Sequence, residues 1–315
     1  MNQVVPIENA ALGLPTMVAA NTPTKRRFME FFTANIRNPN TRKAYARAAG
    51  DFLQWCDGRG LTALTAIEPI HVAKWIEDLG RQHSVPTVKL RLAAIRHLFD
   101  WLVTGQNMPT NPAHSVRGPS YSTNKGKTPV LSPDEARHLL HSIPVDTIAG
   151  LRDRALIGLM TYSFARVGAA IGMEVRDVCV QNRRLWVRLH EKGGKLHEMP
   201  CHHTLEEYLD AYMEVGGLKD QPRSPLFRTI GRGTGVLSVS RLPQANAYAM
   251  IQRRAESAGI DTAVCCHTFR ATGITAYLKN GGTLENAAAM ANHSSTRTTM
   301  TGAAMTLAWT KSNAF

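Results

Sequence analysis

The sequence predicts a mainly α protein with a small antiparallel β-sheet, divided into a helical first domain and an α+β second domain. Three observations carry this. Three stretches before residue 105 repeat their apolar residues at helical spacing. A polar stretch rich in Gly, Pro and Lys follows them. Beyond it, Leu185–His190 alternates apolar and polar residues, and after Gly193-Gly194 so does Leu196–Met199. A chain of 315 residues is long enough for two such cores.

Residues 1–24 lack periodicity and read as a loose arm, and the helical domain is expected over 25–112. Asn40 or Thr41 is placed to cap a helix on which Tyr45, Ala49, Phe52 and Cys56 share a face. Val72, Trp75, Ile76 and Leu79 mark a second helix, and Leu92, Ile95, Phe99 and Leu102 a third. Residues 113–129 read as a basic linker, with Lys125 and Lys127 able to track a polyanion. The second domain, 130–315, opens at Ser132-Pro133-Asp134-Glu135, a capping box with proline in the first turn. Leu151–Met160 reads as a buried helix, and helical patterns return at Leu205–Val215, Gln244–Ala258 and Thr268–Leu278. Gly193-Gly194 is a hairpin turn signal.

Lys and Arg number 37 against 24 Asp and Glu, a net charge of +13. A chain this basic attracts polyanions, nucleic acid first among them. Arg42, Lys43 and Arg47 on the first strong helix, with Lys89, Arg91 and Arg96 on the third, are candidate phosphate contacts. The five cysteines are odd in number and irregularly spaced, which argues against a disulfide framework, and no C-x-x-C pair marks a zinc site. No metal and no cofactor is expected. There is no signal-peptide pattern and no apolar run of membrane-spanning length, so a cytoplasmic location without membrane contact is expected.

Four short segments of the second domain are each weak signals alone. They are Tyr162–Gly168 with Arg166, the turn bearing Lys192, His267-Thr268-Phe269-Arg270, and Ala291–Ser295 with His293. Their order and spacing resemble the tyrosine recombinase family, also called phage-type integrases, over roughly residues 25 to 300, and most of all integrases of bacterial mobile elements. The resemblance implies a helical core-binding domain that clamps DNA, followed by a catalytic domain. It implies site-specific recombination and integration of double-stranded DNA, by strand cleavage and rejoining through a 3′-phosphotyrosine. Arg166 then matches the first catalytic arginine, Lys192 the hairpin lysine, His267 and Arg270 the H-x-x-R pair, and His293 the second histidine. Lys195 is the rival for the lysine role. Asn292 replaces the glycine that usually precedes the second histidine. The chemistry is coherent without a metal. Guanidiniums stabilise charge on the non-bridging oxygens, a lysine protonates the 5′-oxygen, and histidines move protons near neutral pH.

The family nucleophile is a tyrosine nine residues after the second histidine, where this chain has Gly302, and no tyrosine occurs among residues 294–315. Tyr277 reads as a packing residue. From about residue 300 the tail is atypical for the family. With suitable synonymous codons, reading one nucleotide earlier from the end of the Thr299 codon gives Tyr-Asp-Arg-Arg-Gly-Asp-Asp-Leu-Ser-Leu-Asp-Glu-Val-Glu-Arg-Ile. That is a family-like ending, and it points to a frame shift just before the nucleophile. DNA binding with impaired cleavage is therefore expected. The alternative is a non-catalytic sequence-specific DNA-binding protein that occupies recombination sites. The family's homo-oligomer, a tetramer on DNA, is expected to be weakened by the altered tail.

Overall fold

The computed structural model describes residues 22–121, 128–191, 194–293 and 295–302. Lys125, Lys127 and Lys192 of the sequence reading lie outside them. The chain divides into two compact units, residues 1–122 and 123–315.

In the first unit, α1 spans Thr22–Glu30 and runs on as a π-helical turn, Phe31–Asn35, so residues 22–24 of the expected arm are helical. Three longer helices follow, α2 (Pro39–Asp57), α3 (Pro69–Gln82) and α4 (Val85–Thr104). The cap of α2 is neither Asn40 nor Thr41. Asn38 stands there in extended backbone, and its side chain accepts from both Asn40 N–H and Thr41 N–H. Pro39 supplies the preset φ of a first helical residue. Phe31, Phe52, Leu53, Ile95, Leu98, Phe99 and Leu102 are fully buried in one core. Ala113 and Val116 are buried in that same core. Arg96 ties them down by donating to the Ala113 carbonyl at 3.1 Å and to the Val116 carbonyl. The start of the expected linker is thus packed as part of the first unit.

The second unit begins with α5 (Pro133–Ser142), and here the capping box is as expected. Ser132 Oγ accepts from Glu135 N–H at 3.1 Å, and the Glu135 carboxylate accepts from Ser132 N–H at 2.7 Å. The central helix α6 (Ile148–Tyr162) is buried on nearly every side and packs against α8 (His203–Val215) and α10 (Cys266–Lys279). Its buried Asp153 is held between two guanidiniums, Arg152 at 2.6 Å and Arg254 at 2.8 Å. The short α7 (Val167–Gly172) leads to a three-stranded antiparallel sheet, ordered β1 (Val178–Gln181), β2 (Arg184–Glu191), β3 (Lys195–Pro200). The register sets Val187 opposite Met199 and Glu191 opposite Lys195. Period-two alternation turns Val187, Leu189 and Glu191 to the buried face. A separate pair, β4 (Arg228–Ile230) with β5 (Leu237–Arg241), precedes α9 (Gln244–Ser257), and α11 (Leu284–Met290) and α12 (Thr296–Gly302) complete the described residues.

Candidate active site

Arg166 sits at the junction of α6 and α7. Ser163 ends α6, Phe164 turns the chain with a left-handed φ of 53°, and Arg166 enters α7 as its N-cap in extended backbone. Its Nη1 donates to Glu191 Oε2 at 2.6 Å. The carboxylate is buried at 4% exposure while the guanidinium keeps 39%, so one edge of Arg166 is anchored and the rest faces outward.

His267 and Arg270 lie in the first turns of α10, three residues apart and so on adjoining faces. The helix starts at Cys265, whose N–H donates to Thr268 Oγ1 at 3.0 Å. Close approach of α10 to the end of α6 depends on Gly273. A Cβ there would collide with the Thr161 carbonyl oxygen and stand 2.9 Å from the Phe164 ring. That approach brings Arg270 to the Phe164 carbonyl.

Arg270 is 2% exposed, the largest of the fully buried side chains. Its Nη1 donates to the Phe164 carbonyl and its Nη2 to the Ala291 carbonyl. Nη2 also contacts His293 Nε2 at 2.7 Å. Both carbonyls belong to left-handed turns, since Asn292, directly after Ala291, has φ 45°. Asparagine tolerates that region better than other residues with a Cβ. This is the physical reason it can stand in the glycine position before His293.

The charges are mutually felt. His293 is pushed down to about 4, by burial first and then by Arg270, Arg166 and His267. His267 retains solvent access, yet desolvation lowers it as well, followed by the charges of Arg270 and Arg166. Arg270 itself is lowered to about 10 by burial and by Arg166, with Glu191 opposing. Arg166, His267, Arg270 and His293 therefore form one electropositive cluster with two neutral imidazoles at its edge. With only Glu191 to balance two guanidiniums, such a cluster favours an added anion.

Residues 129–305 match the model described as the Phage integrase family, and residues 27–106 that of the Phage integrase, N-terminal SAM-like domain. The chain belongs to the phage integrase family of tyrosine recombinases. It is 29% identical over 281 residues to "Tyrosine recombinase XerD" of Mycobacterium leprae, covering 82% of this chain and 85% of that protein. The fold matches XerH site-specific recombinase bound to difH in a post-cleavage complex, with TM-score 0.68 at 17% identity over 93% of this chain and 88% of that one. It likewise matches a lambda integrase dimer bound to a COC′ core site, with TM-score 0.68 at 15% identity over 89% and 93%.

Of the sequence-derived site residues, the structure brings together Arg166, His267, Arg270 and His293. Gly302 closes the short helix α12. Tyr277 lies on α10 itself, with its ring edge-on to Phe164 at 6.1 Å. Glu191 escaped the sequence reading, which ended the strand at His190. A buried carboxylate at an inward strand position leaves no apolar signal, although continued alternation from Val187 and Leu189 points to it. In the first unit, three candidate contacts have internal employment. Arg42 donates twice to the Ile36 carbonyl, Arg91 pairs with Asp51 at 2.6 Å, and Arg96 holds the two carbonyls named above. Lys43, Arg47 and Lys89 are exposed and have no ion pair among the described residues.

Among the described residues no helix is long and apolar enough to cross a membrane, and no three His, Cys, Asp or Glu side chains converge as metal ligands.

Proposed function

We propose that this chain is a site-specific recombinase scaffold that grips a DNA phosphodiester but does not cut it. The observation that carries the reading is the convergence of Arg166, His267, Arg270 and His293 in a family unit that has Gly302 at the nucleophile position. The outward edge of Arg166 supplies donors for the non-bridging oxygens of one phosphate, and Arg270 adds the donor that His293 now accepts. Donors of this kind are worth about 3–4 kcal/mol each when charge builds up in a transition state. Lys192, which lies between β2 and β3 in the sequence, is assigned the proton for the 5′-oxygen, and His267 and His293, neutral near pH 7 in the free chain, gain protons as the phosphate's charge comes beside them.

Cleavage in the family is a displacement. A tyrosine oxygen bonds to phosphorus, the bond to the 5′-oxygen breaks, and that oxygen leaves with a proton. With no tyrosine at 302, the first bond has no donor within this chain. The partner is double-stranded DNA, in the cytoplasm, with Lys125 and Lys127 assigned to its backbone. A lambda integrase has been seen as a tetramer bound to a Holliday junction. The same kind of homo-oligomer is assigned to this chain, weakened by its altered tail.

The test uses nicked suicide substrates from the native locus. The chain as it stands should shift the DNA in a gel yet give no covalent adduct resistant to denaturation. A version whose residues from 300 onward carry the shifted-frame ending should form the adduct. Adduct formation by the unaltered chain would overturn the reading and make it a working recombinase. Sequencing the coding DNA tests the frame shift separately.

A further inference from the structure

The phosphate cluster has a third layer that no family motif named above includes. Arg270 Nη2 lies 2.7 Å from His293 Nε2, and His293 Nδ1 lies 2.8 Å from Thr299 Oγ1. A guanidinium has only donors, so Nε2 must present its lone pair. A neutral imidazole then carries its one proton on Nδ1, and that N–H needs an acceptor. Thr299 is fully buried and supplies it. The direction of every bond in the chain follows, from Arg270 to Nε2 and from Nδ1–H to the Thr299 oxygen.

We infer that Thr299 is the positioning residue for His293: by accepting from Nδ1–H it fixes that tautomer jointly with the Arg270 donor and aims Nε2 at Arg270 and the phosphate cluster. A hydroxyl suits the task because it accepts equally from neutral and from cationic imidazole. On the proposed reading, a phosphodiester oxygen takes over Arg270's donor. Nε2 can then gain a proton and donate to the same phosphate while the bond to Thr299 stays in place. Thr299 thus lets His293 change charge without turning its ring. It sits on α12, three residues before Gly302, so this element of the site precedes the altered tail.

The experiment is long-range nitrogen–proton correlation NMR on the full chain with ¹⁵N-labelled histidine, at pH 7.5. His293 is assigned by loss of its signals in His293→Gln. The wild-type protein and Thr299→Ser should show His293 as a single Nδ1–H tautomer. Thr299→Val, equal in shape but without an acceptor, should show a tautomer mixture, with DNA affinity lowered about tenfold. A wild-type Nε2–H tautomer, or a valine variant with the wild-type tautomer, overturns the role of Thr299. Thr299→Ala, which also removes the acceptor, decides the point if the valine variant fails to fold. Adding half-site DNA probes the other layer. Movement of the His293 resonances towards the imidazolium pattern is expected. Unmoved resonances with DNA bound would sink the phosphate reading and leave the Thr299 assignment standing.

Discussion

Arg270 uses His293 as a hydrogen-bond acceptor, with Nη2 and Nε2 2.7 Å apart, so the folded cluster requires a neutral imidazole. The consequence is a pH-dependent stability with a definite sign. His293 titrates at about 4 in the folded chain against an ordinary 6.5, and burial shifts His267 in the same direction. Between these values the unfolded chain binds more protons, so stability rises with pH across that window. Conversely, it is lost as pH falls from above 6.5 towards 4. For His293 the loss is of order 2 kcal/mol once solvent screening of a half-buried ring is allowed for. Urea unfolding at a series of pH values measures it. His293→Gln keeps an acceptor for Arg270 without a titrating group, and should flatten the slope. A slope equal to that of wild type would refute the assignment.

Arg270 also stitches the two left-handed turns at Phe164 and Asn292 to α10. Arg270→Met keeps much of the volume but leaves two carbonyls without their donor. The expected cost is about 2–4 kcal/mol, seen as a lower urea midpoint. Arg270→Lys should recover only part of this, because an ammonium cannot reproduce a planar fork that bridges two carbonyls and an imidazole. Full recovery by lysine would show that charge rather than geometry holds the turns.

The turn at Asn292 gives a sharper contrast. Asn292→Gly should leave stability within about 0.5 kcal/mol of wild type, since both residues accept a φ of 45°. Asn292→Val should cost at least 1–2 kcal/mol, because a β-branched residue is strained in that region. It should also release the Ala291 carbonyl from Arg270 and weaken DNA binding. Thermal unfolding with a DNA titration on the same samples checks both. An equally stable valine variant would mean that the turn relaxes freely.

Some of this was legible in the sequence and some was not, for physical reasons. Ser132-Pro133-Asp134-Glu135 encodes its cap within four residues, and the structure forms it as read. The cap of α2 is ambiguous in sequence because Asn38, Asn40 and Thr41 are all capable caps, and only the first-turn Pro39 favours Asn38. The β4–β5 pair is hard to read because its strands are only three and five residues long, although Leu237-Ser238-Val239-Ser240 does alternate apolar and polar. The site residues follow from motif spacing, but their partners do not. Glu191 is 25 positions from Arg166, and Phe164 is 106 from Arg270. Such pairings are made by the packing of α6, α10 and β2, and local sequence carries no trace of them.

The first unit separates structural arginines from free cations, and DNA binding should report the difference. Arg42, Arg91 and Arg96 hold a helix entry, an ion pair with Asp51 and the Ala113–Val116 segment. Lys43, Arg47 and Lys89 are exposed and unpaired among the described residues. If these three meet phosphates, replacing each with alanine removes about one counterion from the salt dependence. The slope of log affinity against log salt should then become shallower by roughly three in the triple variant, with unfolding unchanged. Replacing Arg91 or Arg96 should instead destabilise the unit, by about 1–3 kcal/mol for an orphaned partner. Measuring affinity between 50 and 200 mM salt, together with urea unfolding, tells the two classes apart. A triple variant with the wild-type slope would move the DNA face of this unit elsewhere.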